Sequence, residues 1–253
     1  MAPSEVYIPR TEAGYYGVSV FGYSPANGSQ QVTIEADILP FEVRSITPNY
    51  GGNTGKVTVK LIGSKFRYDM DVQLFKYSGN DTIRIFADTL MYKNFNEVFV
   101  TFDLTGAELG TYSLRADNYC AGSAYLHNCF NVVEGEPENL AVNLIIPSGL
   151  RAHRYCCLTL EYGNIGTTDI VNPRLQLVSL GGAWIGLRRG ELNIHKDVLE
   201  IPTSFDDEPD GILRPGVRHT ITIYCYTNEE MTFQIDINDE IDAHHYHGHV
   251  QDY

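Results

Sequence analysis

Short runs of alternating apolar and polar residues recur along the chain of 253 residues. In residues 57–61, Val57, Val59 and Leu61 alternate with Thr58 and Lys60, which is the period of a strand with one buried face. The same pattern recurs at 98–104, 112–116, 130–132, 155–162 and 219–226. Gly, Pro, Asn and Asp separate these runs, and no long stretch has a helical period beyond one possible turn within 190–199. The pattern predicts an all-β protein.

The apolar runs fall into two groups on either side of a polar, turn-rich segment at 134–139 that contains three glutamates. Residues 40–135 hold six or seven predicted strands, the size of an immunoglobulin-like β-sandwich. A second sandwich is predicted over 136–243. Two alternating runs that flank a turn predict an N-terminal β-hairpin within 1–39, and a His-rich tail is predicted at 244–253.

The composition narrows the classes of partner. The formal net charge is −14, from 18 basic and 32 acidic residues, whereas a nucleic-acid binder needs basic patches. No apolar run reaches the roughly 20 residues of a membrane-spanning helix, so we expect no membrane insertion. The 17 Tyr, 11 Phe and 23 Gly suit sheets and turns.

Several features indicate an extracellular or cell-surface location. Five cysteines in an acidic β-rich chain suit an oxidising compartment, and Asn27 and Asn80 lie in glycosylation sequons. The first five residues lack the basic and apolar regions of a signal peptide. The signs of an oxidising compartment and the lack of a signal peptide both fit a segment of a longer secreted glycoprotein.

The predicted first sandwich resembles an IPT/TIG domain, an immunoglobulin-like module of receptors, adhesins and other proteins. The resemblance covers 40–135 and is carried by Ser45-Ile46-Thr47-Pro48-Asn49, Gly51-Gly52, the run 56–66, Leu109-Gly110-Thr111-Tyr112-Ser113-Leu114 and the run 130–135.

The predicted second sandwich resembles the CARDB-like immunoglobulin fold of large surface proteins. Leu160-Glu161-Tyr162-Gly163-Asn164-Ile165-Gly166, Asn172-Pro173-Arg174-Leu175-Gln176-Leu177 and Leu213-Arg214-Pro215-Gly216 carry this resemblance. The hairpin at 13–39 resembles the last strands of a truncated pre-peptidase C-terminal domain.

These resemblances imply a structural or adhesive module that acts as a spacer, a self-assembly unit or a protein-interaction unit. Its expected partners are other protein domains, copies of itself in a filament, or glycans. No catalytic residue accompanies any of the three families, and the chain lacks nucleophile-elbow, zinc-protease and dinucleotide-binding motifs, so we expect no enzyme activity. One alternative is an accessory region of a secreted hydrolase. Another is a carbohydrate- or calcium-dependent binding module, with Trp184, Tyr92 and Tyr125 as a possible sugar platform.

The cysteines allow two bridges. Cys120 and Cys129 lie nine residues apart across a glycine-containing turn and are predicted to form a cross-strand disulfide, with two free thiols as the alternative. By parity, Cys156 and Cys225 both face inward and are predicted to form an inter-sheet bridge like that of antibody domains. A single β-bulge would replace Cys156 with Cys157, so the choice between them stays open.

Candidate metal ligands concentrate near the end of the chain. No cofactor is expected apart from calcium, for which Asp236, Asp239, Glu240 and Asp242 offer oxygen ligands. A separate candidate is a transition-metal site at His244, His245, His247 and His249, the last three of which occupy alternate positions, and a flexible tail is the favoured alternative. The acidic loop at 206–211 has part of an EF-hand spacing, but valine stands where the bidentate glutamate belongs, and a solvated loop is favoured there.

Overall fold

The computed structural model describes residues 15–19, 33–36, 38–136, 139–148, 150–151, 153–203, 208–227, 231–237, 240–248 and 250–251. It confirms the all-β class with two immunoglobulin-like sandwiches. Within the described ranges the one helical element is a 3₁₀ helix at Arg189–Ile194, which overlaps the predicted turn within 190–199. No helix of the described part is long and apolar enough to cross a membrane.

Eight strands form the first sandwich. They are β1 Glu42–Thr47, β2 Tyr50–Gly52, β3 Lys56–Ser64, β4 Asp71–Ser78, β5 Asp81–Asn94, β6 Glu97–Asp103, β7 Gly110–Asn118 and β8 Gly122–Val133. Their hydrogen-bonded order is β1-β3-β6-β5-β4-β7-β8-β2. Every neighbouring pair is antiparallel except β2 and β8, which run parallel.

The long strand β5 joins the two layers of this sandwich. Its first half pairs with β4 up to Phe86, and its second half pairs with β6 from Ala87 onward. An irregularity between Ala87 and Thr89 marks the change of partner, since a bulge bends a strand. The core lies between the layers and contains Val57, Val59 and Leu61, all fully buried, as their alternation predicts.

The second sandwich consists of two four-stranded sheets with further short strands. Its elements are β9 Leu140–Ile145, β10 Leu150–Arg151, β11 Tyr155–Asn164, β12 Ile170–Val171, β13 Leu175–Ser179, β14 Trp184–Gly186, β15 Val198–Glu200, β16 Ile212–Leu213, β17 Arg218–Tyr226, β18 Met231–Ile237, β19 Glu240–Gly248 and β20 Val250–Gln251. One sheet has the order β14-β17-β11-β9 and the other β15-β13-β18-β19. A separate core that includes Leu158, Leu160, Ile223 and Phe233 fills the space between them.

The disulfide of the second sandwich joins Cys156 to Cys225. The two cysteines lie directly opposite each other on β11 and β17, which are neighbours in one sheet. The predicted inter-sheet placement is therefore wrong: the bridge crosses two adjacent strands. Cys157 points to the opposite face and is a free, exposed thiol.

The predicted bridge between Cys120 and Cys129 is also wrong, because both thiols are free. The hairpin of β7 and β8 turns between Asn118 and Gly122, which places Cys120 in the turn itself. Cys129 lies seven residues farther along β8, about 23 Å away at the usual rise of a strand. That separation exceeds the roughly 7 Å between Cα atoms that a disulfide can span.

The predicted ends of the chain compare with the structure only in part. The N-terminal hairpin within 1–39 lies mostly outside the described residues, and its described parts, 15–19, 33–36 and 38–39, form no strand. At the other end, the predicted tail begins within a strand, because β19 runs through residue 248 and pairs with β18.

Candidate functional site

The loop from Asn164 to Asp169 projects from the second sandwich toward the first. The fully buried Asn164 side chain organises this loop: its Nδ2 donates to the carbonyl oxygens of Thr168 and Leu213, at 2.7 and 2.8 Å. Its Oδ1 accepts a hydrogen bond from the Gly166 backbone at 2.9 Å. Satisfying each polar atom of a buried amide holds the loop in one conformation.

This loop makes backbone hydrogen bonds across the junction between the two sandwiches. The Gly52 amide of β2 donates to the Thr167 carbonyl at 2.7 Å, and the Asp169 amide donates to the Lys56 carbonyl of β3 at 2.9 Å. The Glu136 amide, in the connecting segment, donates to Thr167 Oγ1 at 2.9 Å. Both sandwiches and their connection thus share one hydrogen-bonded site.

Glycine at position 52 permits this close approach. A Cβ atom there would lie 2.3 Å from Thr167 Oγ1 and 2.8 Å from the backbone of Gly135. Atoms cannot pack at these separations, so any side chain at Gly52 would force the sandwiches apart.

A chain of buried hydroxyl groups leads to a carboxylate at the junction. Thr58 Oγ1 donates to Asp169 Oδ2 at 2.6 Å, and Thr101 lies 2.8 Å away from Thr58 Oγ1. Because a hydroxyl has one hydrogen, Thr101 is then the donor to Thr58. Asp169 is 6% exposed, and its second oxygen, Oδ1, is buried without a hydrogen-bond partner among the described residues.

Burial raises the pKa of Asp169 to about 6, although its hydrogen bonds with Thr58 and the nearby Arg214 charge act in the opposite direction. The ordinary value for this carboxyl is 3.8. The folded protein therefore favours the protonated form of Asp169 more than the unfolded chain does. The protonated carboxyl stabilises the fold at low pH, and this stabilisation is lost as the pH rises from about 4 to about 6.

Replacing Asp169 with asparagine should remove this pH dependence. Between pH 4 and pH 7 the unsubstituted protein should lose about 3 kcal/mol of unfolding free energy relative to D169N. The amount follows from the difference of about two between the pKa values of Asp169 in the folded and the unfolded chain. Urea unfolding at closely spaced pH values measures it. D103N is the control of opposite sign, because hydrogen bonds from Thr105 lower the pKa of the exposed Asp103. A difference for D169N that stays constant with pH would contradict the assignment.

Arg214 makes the second set of contacts across the junction. Its Nε and Nη2 donate to the two carboxylate oxygens of Glu208 at 2.6 and 2.7 Å, and its Nη1 donates to the Thr47 carbonyl of β1 at 2.7 Å. The guanidinium also lies 5.2 Å from the ring centre of the buried Phe99 on β6. Arg214 is 3% exposed, so this is an ion pair removed from water.

A groove runs along the junction beside Asp169. It has a volume of about 430 Å³. Its lining residues are Thr54, Gly55, Lys56 and Thr101 from the first sandwich, Glu136 from the connection, and Thr168, Asp169, Val171 and Ile212 from the second sandwich.

The structure separates most of the candidate residues predicted from sequence. The exposed free cysteines Cys120 and Cys157 lie on different sandwiches, and burial raises the pKa of the third free thiol, that of Cys129, to about 11. Asn80 is exposed in the turn between β4 and β5, whereas Asn27 lies outside the described residues.

The candidate metal ligands do not form a described site. Asp236 is on β18, where its Oδ1 accepts a hydrogen bond from Gln234 at 2.7 Å, and Asp239 and His249 lie outside the described residues. Glu240, Asp242, His244, His245 and His247 belong to β19. Among the described residues no group of three His, Cys, Asp or Glu side chains could hold a metal ion. Of the acidic loop, Glu208 is committed to Arg214, while Asp206 and Asp207 are not described.

The predicted sugar platform is not assembled. Trp184 stacks with both His195 and Tyr226, with ring centres 3.7 and 5.0 Å away. Tyr92 on β5 packs against Phe95, whereas Tyr125 on β8 contacts Phe75 on β4. Because the three aromatic rings lie on separate strands with different ring partners, they offer no common stacking surface.

Sequence reasoning missed Asp169 and Arg214 as functional residues. Arg214 and Asn164 belong to the segments that carry the CARDB-like resemblance. The sequence therefore drew attention to both residues but did not indicate that they act at the junction. Asp169 lies in no motif and becomes notable only through its burial.

Comparisons with known proteins add little to this picture. No protein-family model and no curated protein sequence matches the chain. Among solved structures, a Salmonella alpha-2-macroglobulin mutant is 14% identical; the match covers 85% of this chain but 16% of that one, with a TM-score of 0.27. A chimeric titin Z1Z2 is 12% identical over 85% of this chain and 94% of that one, with a TM-score of 0.31.

The Ig1-2 module of the Drosophila receptor protein tyrosine phosphatase DLAR is 11% identical. The match covers 84% of this chain and 99% of that one, with a TM-score of 0.27. At such TM-scores these similarities carry no argument about the fold, the activity or the partners of this chain.

Proposed function

We propose that this chain is a non-catalytic structural and protein-interaction unit in which the two sandwiches act as one stiff body. The junction is the observation that supports this proposal. Backbone bonds from Gly52 and Asp169, together with the buried Arg214, tie the sandwiches at separated points. Several fixed points restrict rotation about the connection, whereas a flexible linker alone would leave the modules free to reorient.

We place the unit in a secreted or cell-surface protein, with an IPT/TIG-like first sandwich and a CARDB-like second sandwich. The disulfide between Cys156 and Cys225 supports the oxidising compartment, since such bonds persist outside the reducing cytosol. A stiff pair of sandwiches suits a spacer, an adhesive unit or a self-assembling one. Its partners are then other domains, further copies or glycans.

Two native thiols allow the stiffness to be measured without new cysteines. Cys120 and Cys157 are exposed and lie on different sandwiches, whereas Cys129 is half-buried with a raised pKa. Nitroxide labels on Cys120 and Cys157 should give one narrow distance distribution by pulsed electron double resonance. A broad or multimodal distribution in the unsubstituted protein would contradict the proposal.

The matched variant for this measurement is Gly52→Val. Its side chain would meet Thr167 at the junction, so the distance distribution should broaden. The control is Gly79→Ala, at an open position in the β4–β5 turn where an added Cβ meets no atom within 4 Å. G79A strains a left-handed backbone locally, with φ of +61°, and should leave the distance distribution narrow.

A further inference from the structure

The groove at the junction contains a buried acceptor that no group of the described protein satisfies. Asp169 lines the groove, and its Oδ1 accepts no hydrogen bond from the part of the chain that the structure describes, while Oδ2 accepts one from Thr58 Oγ1. A buried carboxylate oxygen without a donor costs free energy, because it has lost its water and gained nothing in return. The Asp169 carboxylate therefore keeps a negative charge that the described residues compensate only in part, and this charge favours a cation in the adjacent groove.

The cationic side chains around Asp169 are already engaged elsewhere. Lys56 Nζ lies 2.6 Å from Asp88, and three nitrogens of Arg214 donate to Glu208 and Thr47. Glu136, which also lines the groove, is exposed and forms no ion pair with another described residue. The charges left over in the groove are therefore the two carboxylates of Asp169 and Glu136.

Apolar groups complete the lining. Val171 is 64% exposed and Ile212 is half-buried. A calcium ion prefers six to eight oxygen ligands and gains nothing from such a wall. An arginine or lysine side chain instead has an apolar stem that packs on aliphatic groups and a cationic head that donates hydrogen bonds. The net charge of −14 also favours encounter with a basic partner.

We propose that the groove between the two sandwiches binds a basic side chain, arginine in particular, of a partner protein. The stem packs against Val171 and Ile212, and the cation lies between Glu136 and Asp169. This inference rests on the proposed function, because the groove exists only where the two sandwiches are held together.

Binding and protonation at Asp169 are then linked. A cation beside a carboxylate favours the ionised form, so an occupied groove must lower the raised pKa of Asp169, and protonation must weaken binding to the same extent. Arg214, Lys56, Glu136 and Glu208 are the other charged groups near the site, and the first, second and fourth are held in the ion pairs described above.

The experiment titrates the full chain with N-acetyl-arginine methylamide at pH 7.5 and follows backbone amide resonances by NMR. The neutral isostere N-acetyl-citrulline methylamide is the matched ligand control. The arginine compound should shift resonances of the groove residues and lower the pKa of Asp169, read from its carboxyl carbon, whereas the citrulline compound should do neither. D169N and E136Q should each weaken binding about tenfold, equivalent to ~1.4 kcal/mol.

E134Q is the matched protein control, since Glu134 is exposed and two residues from Glu136 but does not line the groove. Its affinity for the arginine compound should equal that of the unsubstituted protein. Equal binding of both compounds, full binding by E136Q, or the same shifts produced by calcium chloride would each overturn the proposal. If the label distances are narrow but arginine does not bind, the stiff unit stands and this inference alone fails.

Discussion

Replacing Arg214 with alanine should lower the free energy of unfolding by about 3–5 kcal/mol, the range for removing one partner of a buried ion pair. The substitution leaves the Glu208 carboxylate without its bidentate partner and the Thr47 carbonyl without a donor. It also uncovers Phe99, which the guanidinium now contacts. Chemical denaturation at pH 7 measures the loss.

Arg67→Ala is the matched control for this prediction. Arg67 makes the same two-pronged contact, with Asp69, at 2.8 and 2.9 Å, but both side chains are more than a third exposed. Exposed pairs contribute about 0–1 kcal/mol, so R67A should change stability little. Equal losses in R67A and R214A would show that burial at the junction does not matter.

Replacing Cys156 and Cys225 together with alanine should lower the free energy of unfolding by about 4 kcal/mol in the chain-entropy model. The bridge closes a long segment, with a sequence separation of 69, and its loss frees the unfolded chain. Cys225 is also fully buried in the second core. The measurement is denaturant unfolding of the oxidised protein beside the double variant.

Cys157→Ala tests whether the correct neighbour has been paired. Cys157 is exposed on the opposite face of β11, so its loss should leave stability unchanged and should remove one free thiol in a thiol assay of the unfolded, non-reduced protein. If Cys157 were the partner of Cys225, C157A would instead be destabilised and C156A would not.

The alternation of apolar residues was sufficient to predict the strands, because it reports which face of each strand is buried. Val57, Val59 and Leu61 are fully buried on β3 as the pattern indicates. The same parity identified the inward faces of Cys156 and Cys225 but not that β11 and β17 are neighbours. Sheet order depends on contacts between residues distant in sequence, and alternation within one strand contains no such information.

The alternation of apolar and polar residues could not predict the junction between the sandwiches, for a related reason. Thr58 is a polar residue at an outward position of β3, and alternation predicts that it faces water. It is 1% exposed because a loop from the other sandwich covers it. Asp169 likewise reads as a solvated loop residue until the fold buries it. Polar residues at an interface between modules have the same local pattern as surface residues.

The parallel pairing of β2 with β8 has a consequence for mechanical load. These strands lie near the points where the chain enters and leaves the first sandwich, and Tyr50, Gly51 and Gly52 pair in order with Asn131, Val132 and Val133. Tension applied along the chain would pull these two parallel strands in opposite directions. The hydrogen bonds between the strands would then be loaded at the same time and would not break one after another. Such a geometry resists extension better than a strand pair whose hydrogen bonds break in sequence from one end. Gly52 is part of this pair and also donates a hydrogen bond to Thr167 of the second sandwich.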